Sequence, residues 1–375
     1  MKSNSVLKSI FIFLLIIIMG IPTFLLAEKP EEEGELAQVR IGIAPYTMMQ
    51  IWHISKEYEI DKEFGLDFEL VPISATLPGV QLLVRGDLDI SSNCIAEHIA
   101  AIQGAPEIKA YSSLGFFKGF IYVGRKGEIK SIDELIEEVG LEKAVEMRRK
   151  EFKGKSFCII PQRKPLIADT IQQVGLDIDD VTLRNFADDQ KAAMAFMRGE
   201  GDFYMGSLPQ ERRLLQEPDE YVNAGGSEVL GPGGLWYDTM VTTDEFIINN
   251  RETALRTLAA LYRTIKLWDE KREEVAHIGA DAISKSTGGT FGVEEYITMQ
   301  TVYDDFLSPD EIKEGMFNPD STLYWRPSAE YYAKMAIEQG DLKSQIDIDE
   351  VFPWESLFWE LMDRKDLMRK VNAPF

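Results

Sequence analysis

Short apolar runs and stretches of helical spacing alternate along residues 39–207, and they do so twice in the same order. The first pass begins with VRIGIAP, Val39 to Pro45, a buried-strand pattern closed by a proline. A helical stretch follows and stops at FGLDFELV, where Gly65 suits the position just past a helix end and a second strand begins. GVQLLVRG then reads as helix and leads into GDLDISSN, a strand ending in the small polar residues Ser91, Ser92 and Asn93. The second pass runs SFCIIP (156–161), VGLDIDDVTL around Gly175, and AAMAFMRGEGDFYMGS ending at Ser207. Pro45 matches Pro161, Gly65 matches Gly175 and Gly86 matches Gly199, at offsets of 116, 110 and 113 residues. Matching order at nearly constant offset predicts two α/β halves, each built β-α-β-α-β. Open sheets of this kind bind ligands outside the carboxyl ends of their strands, and two such ends can face one cleft.

FFKGFIYVGRKG (116–127) reads as a strand carrying the chain from one half to the other, and GPGGLWYDTMVTT (231–243) as the strand returning. Beyond Asp244 the pattern turns helical. Leu255, Leu258, Leu261, Ile265 and Trp268 form one stripe over 251–271. Helices are predicted around 293–307 and 328–338, and FPWESLFWELMDRKDLM as a final amphipathic helix packed on the body. The charged stretch 128–155 reads as a surface helix supported by pairs at i, i+4 spacing.

Composition narrows the class. The chain has 375 residues, enough for two domains, and 45% apolar with 27% charged residues excludes disordered and collagen-like chains. A net charge of −23 argues against nucleic acid and against an anionic membrane surface as partners. Two cysteines, Cys94 and Cys158, exclude a disulfide scaffold and a thiolate metal cluster; both read as buried free thiols. Lys2, Lys8, the apolar run Ile10 to Met19, then Gly20, Pro22 and Ala27 form the pattern of a secretory signal peptide over 1–27, with an uncleaved membrane anchor as the competing reading. The expected location is therefore exported and periplasmic. Cleavage removes two lysines and no acid, taking the charge to −25, and leaves a flexible acidic tether at 28–37.

VRIGIAPYTMMQIWHISKEYEIDKEFGLDFELV, LLVRGDLDISSNCIAEHIAA, IKSIDELIEE…FKGKSF and AAMAFMRGEGDFYMGSLPQERRLLQ together resemble the solute-binding proteins of nitrate, sulfonate, taurine and thiamine-pyrimidine importers. The resemblance implies the type II periplasmic-binding-protein fold, an α/β fold of two lobes, each a mixed sheet flanked by helices. It places lobe 1 at 38–118 and 236–375, with the C-terminal helices on it, and lobe 2 at 119–235. It further implies a monomer that captures a small-molecule ligand, closes by hinge motion, and passes the ligand to the membrane permease of an ABC importer. An exported ligand-sensing lobe for a receptor would need the same cleft. A thiamine-pyrimidine-synthase-like enzyme shares the fold, but those enzymes carry a cysteine-rich cluster and this chain has two cysteines.

Carried onto this sequence, the resemblance implies ligand contacts from Tyr46, Thr47 and Met48 after the first strand, with Trp52 a turn on, and from Ser91, Ser92 and Asn93. The second half offers Arg163 and Lys164, then Gly206 and Ser207; the connecting segments offer Phe117, Trp236, Tyr237 and Asp238. Arg163 and Lys164 suit an organic anion, whereas the aromatics suit a heteroaromatic ring, with Glu97 and Asp238 able to accept from ring nitrogens or amines. The balance leans to a heterocycle. No cofactor or metal is expected: His53, His98 and His277 are isolated, and no H-E-x-x-H, phosphate loop or G-x-S-x-G elbow occurs. The chain is read as a binding protein, not an enzyme.

Overall fold

A computed structural model describes residues 36–117, 119–226, 228–230, 236–321 and 323–375. The signal-peptide reading and nearly all of the tether lie outside them. The first strand already begins at Ala37, the last residue assigned to the tether. Among the described residues no helix is long and apolar enough to cross a membrane.

Eleven strands are described: β1 Ala37–Ile43, β2 Leu66–Pro72, β3 Ser91–Cys94, β4 Ile108–Phe117, β5 Tyr122–Arg125, β6 Ser156–Ile159, β7 Thr182–Asn185, β8 Phe203–Tyr204, β9 Tyr221–Gly225, β10 Trp236–Thr243 and β11 Asp304–Phe306. β1 and β2 pair in parallel, and a bridge from Ile41 to Ile90 ties β1 to the segment entering β3. Next comes the sheet β11-β4-β10-β3, so the strands of the first half run β2, β1, β3, β10, β4. The other sheet runs β7-β6-β8-β5-β9. The two orders correspond strand for strand. In each, three strands of one repeat are joined by an antiparallel strand, β10 against β3 and β5 against β8. β5 follows β4 in sequence but pairs in the second sheet, and β10 follows β9 but pairs in the first.

Local chemistry makes the repeat visible. Gly65 and Gly175 stand at matching helix ends with φ of +70° and +73°, a conformation that costs a side chain bearing Cβ about 1 kcal/mol or more. Each glycine then turns the chain toward a strand parallel to the first strand of its own repeat. The crossing segment is two strands rather than one: β4 ends at Phe117, and β5 starts at Tyr122 in the other sheet.

The helical stripe at 255–268 is fully buried. Its helix extends past the expected end to Thr287, through a kink at Lys271 (φ −133°, ψ 31°). The charged stretch 128–155 forms two helices, Ile132–Val139 and Leu141–Glu151, because Gly140 (φ +81°) breaks it. Ser131 and Glu134 cap the first reciprocally, and Glu146–Lys150 supplies an i, i+4 pair on the second. The C-terminal tail also divides, into helices Trp354–Asp363 and Lys365–Asn372. One expectation holds only in part: the helix assigned to 293–307 starts at Val293, widens into a π-helical turn at Met299–Tyr303, and then gives way to β11, which pairs antiparallel with β4.

Candidate functional site

Four separate segments converge on one cavity. The first is the loop after β1, where the Gln50 amide donates to the carbonyls of Ala44 (3.3 Å) and Tyr46 (2.8 Å) and holds the turn that presents Tyr46, Thr47 and Met48. The second is β3 and the helix Ile95–Ala101, whose first turn is fixed by the Glu97 N–H donating to Cys94 Sγ at 3.3 Å. The third is the single turn Pro161–Arg163 leading into the helix Lys164–Gln172, joined by the loop around Gly206 and Ser207. The fourth is the pair of connecting segments with Phe117, Phe120, Trp236 and Asp238. The enclosed volume is about 50 Å³, room for roughly three to five water molecules at ~10–15 Å³ each. A heteroaromatic solute therefore requires these walls to part.

Most residues singled out from the sequence stand on the cavity wall. Tyr46, Thr47, Met48, Ser92, Asn93 and Phe117 do, as do Arg163, Gly206, Ser207, Trp236 and Asp238. Four do not, each for a plain reason. Trp52 turns inward and packs edge-on against Phe68, ring centroids 5.3 Å apart. Ser91 is directed at the backbone of Gly42 and Gly79 instead. Tyr237 lies between Trp236 and Asp238 on a strand, so the two-residue alternation sends it to the opposite face, where its hydroxyl donates to the Leu323 carbonyl. Lys164 opens its helix half-buried, away from the cavity. Several wall residues went unmarked in the sequence: Met49, Thr76, Leu114, Leu208 and Pro209, with Phe120, read as strand interior, and Asp304, hidden in a presumed helix.

The electrostatics centre on Arg163. Its guanidinium donates to Glu97 at 2.7 Å, with both side chains at most 5% exposed, and stands over the rings of Phe120 (5.0 Å) and Trp236 (5.5 Å). Burial pulls the Arg163 pKa down, but Glu97 and then Asp189 more than reverse this, and the net shift is upward. Arg163 is thus already paired through one nitrogen, which narrows the open anion clamp anticipated from the sequence to its unpartnered Nε. Carboxyls outnumber it. Asp304, buried and hydrogen-bonded by Thr47, is pushed up by burial to about 8. Asp238 is raised well above the carboxylate range by burial and then by Asp304 and Glu97. Behind the wall, burial and Glu97 raise Asp189 to about 6 against the pull of Arg163. Burial likewise raises Glu211, which accepts from the Gly206 N–H at 3.1 Å.

Gly206 is sterically required. A Cβ there meets the Tyr204 hydroxyl and lies 2.8 Å from Asp189 Oδ1, both in buried side chains. Gly206→Ala is expected to cost about 1–3 kcal/mol in denaturant unfolding. An unchanged midpoint would show that Tyr204 swings aside freely.

Among the described residues no group of three or more His, Cys, Asp or Glu is placed to hold a metal ion. Both cysteines are buried and free. His98 is a core residue, held near a pKa of about 4 by burial, within 3.3 Å of the Val351 carbonyl and edge-on to Phe352.

No protein-family model matches the chain, and no curated protein matches it by sequence. Solved structures do match in fold. The periplasmic aliphatic sulphonate binding protein SsuA of Escherichia coli superposes with a TM-score of 0.59 at 14% identity, covering 84% of this chain and 91% of its own. The ligand-binding component of an ABC-type import system from Staphylococcus aureus, solved with zinc bound, gives 0.62 at 14% identity, covering 87% and 99%. The periplasmic nitrate-binding protein NrtA of Synechocystis PCC 6803 gives 0.56 at 13% identity, covering 90% and 88%. The chain has the periplasmic-binding-protein fold.

Proposed function

We propose that the protein is an exported solute-binding protein that captures a small organic molecule between two lobes and delivers it to the permease of an ABC importer. In this reading lobe 1 comprises 38–118 with 236–375, lobe 2 comprises 119–235, and closure is a hinge motion at the two connecting segments. The observation that carries it is the cavity wall itself. Both repeats contribute to it at the carboxyl ends of their strands, where such folds bind ligands, and both connections join it, β4 by its carboxyl end and β10 by its amino end. The Arg163–Glu97 pair joins the two halves across that wall. The solute-binding roles named for the fold neighbours support the same reading, and the acidic composition, with an N-terminal pattern like that of a signal peptide, suits an exported carrier.

Thermal unfolding against a chemically broad panel of small organic acids, amines, heterocycles and sulfonates tests it. A ligand present at about 100 times its Kd adds about 2.7 kcal/mol to stability and moves the midpoint by several degrees. A panel in which nothing moves the midpoint, together with an unchanged radius of gyration, would remove the capture reading.

A further inference from the structure

We infer that the captured solute is an organic cation, an amine or a protonated nitrogen heterocycle, held by the Asp238 and Asp304 carboxyls and by the aromatic wall. This rests on the capture reading above and assigns the charge of what is captured.

Four observations converge. Arg163 is the one cation on the cavity wall among the described residues, and Glu97 takes it at 2.7 Å while Phe120 and Trp236 cover its faces. Asp238 and Asp304 share that wall, and neither belongs to an ion pair of the described residues. Thr76, Ser92 and Ser207, 2%, 4% and 3% exposed, line the cavity with hydroxyls that have no hydrogen-bond partner, so polar groups there wait for a ligand. Aromatic faces from Tyr46, Phe117 and Trp236 complete the wall, and such faces attract ammonium and amidinium groups once water is excluded. An anion placed here would have to share Arg163, through its unpartnered Nε, with Glu97, and would meet two carboxyls that must stay protonated to receive it. A metal ion does not fit, since the acids are not grouped for coordination.

Titration supports the geometry. Burial holds Asp304 up at about 8, so it keeps its proton at neutral pH, and burial shifts Asp238 in the same direction. The other ionisable groups facing them are Glu97 and Arg163, paired with each other, Tyr46, Cys94 and Tyr296, raised by burial, Asp305 next to Asp304, and Asp189 and Glu211 behind the wall. A bound cation favours the ionised carboxylates, so binding releases protons, and affinity rises with pH between 6 and 8.

The test uses matched probes, isobutylamine, benzylamine and 4-aminopyridine, all protonated at pH 7, against isobutanol, benzyl alcohol, benzoate and benzenesulfonate. Thermal shift and calorimetry in two buffers of different ionisation enthalpy are read on the full exported chain. The expected result is a shift with at least one cation and with none of its neutral or anionic counterparts, and release of about half a proton or more at pH 7. Asp304→Asn and Asp238→Asn should each weaken that cation at least tenfold, and Asp304→Asn should reduce the proton release. If only an anion or a neutral probe shifts the protein, the charge assignment is overturned and the capture reading stands. If a cation binds without proton release and with full affinity in both Asn variants, the assignment to these carboxyls is overturned. If no probe and no member of the broader panel binds, both fall.

Discussion

Arg163→Met is expected to lower stability by about 3–5 kcal/mol at pH 8, with much of the loss recovered at pH 5. The guanidinium is buried and donates to an equally buried Glu97, so its removal strands a carboxylate with no partner. Its field also holds down Asp189, Asp238 and Glu211. Without it those carboxyls rise further above their unfolded values. The native state then binds more protons than the unfolded chain from about pH 4 up to the raised values, so stability falls as pH climbs through that window. Near pH 4 both states are protonated and the electrostatic part of the defect disappears. Urea titrations at pH 5 and pH 8 measure this, and Arg163→Met combined with Glu97→Gln should regain part of the loss at pH 8. An equal loss at both pH values would assign the effect to packing on Phe120 and Trp236 instead.

The duplication was legible in the sequence because its signals are local. Gly65 and Gly175 mark turns that only their own backbone demands, and the strand after Gly65 is apolar on its own account. The loops that form the cavity followed from strand order, since ligands gather at strand ends whatever the side chains. Which face each side chain takes was less accessible. Tyr237 fell on the wrong side because the segment before it, GPGGL, gives no alternation from which to count a register. Asp304 was hidden for another reason. In TVYDDFL, Tyr303 and Phe306 stand three apart, as on a helix face, and the turn at Met299–Tyr303 that ends the helix has no glycine or proline to announce it. The pairing of Arg163 with Glu97 spans 66 residues and two repeats, so only the folded chain could reveal it. That pairing is what turned a cleft read as open to anions into one dominated by carboxyls.

Asp304→Asn should make the protein more stable and a poorer binder at once. Asp304 keeps its proton in the native state to about pH 8, because burial opposes its charge, whereas the unfolded chain releases that proton near pH 4. Between these values the native state binds more protons, so the wild-type residue contributes a stability loss that grows with pH. Each pKa unit is worth about 1.4 kcal/mol, and relaxation of the site reduces the total, so the gain from Asn is expected at about 2–5 kcal/mol at pH 8. The gain shrinks to about 0.4 kcal/mol at pH 4, where native Asp304 is neutral and the unfolded residue is only half ionised. Asparagine keeps the shape and an oxygen for Thr47 without the titration. Unfolding midpoints at pH 4 and pH 8 check the sign; a gain that is absent at pH 8 or equal at both would refute the titration account. The same substitution removes a negative charge that a cationic solute needs, so the more stable variant should bind less. A buried acid that only filled space would show the first effect without the second, and the combination is the mark of a residue whose cost to folding is retained for its ligand.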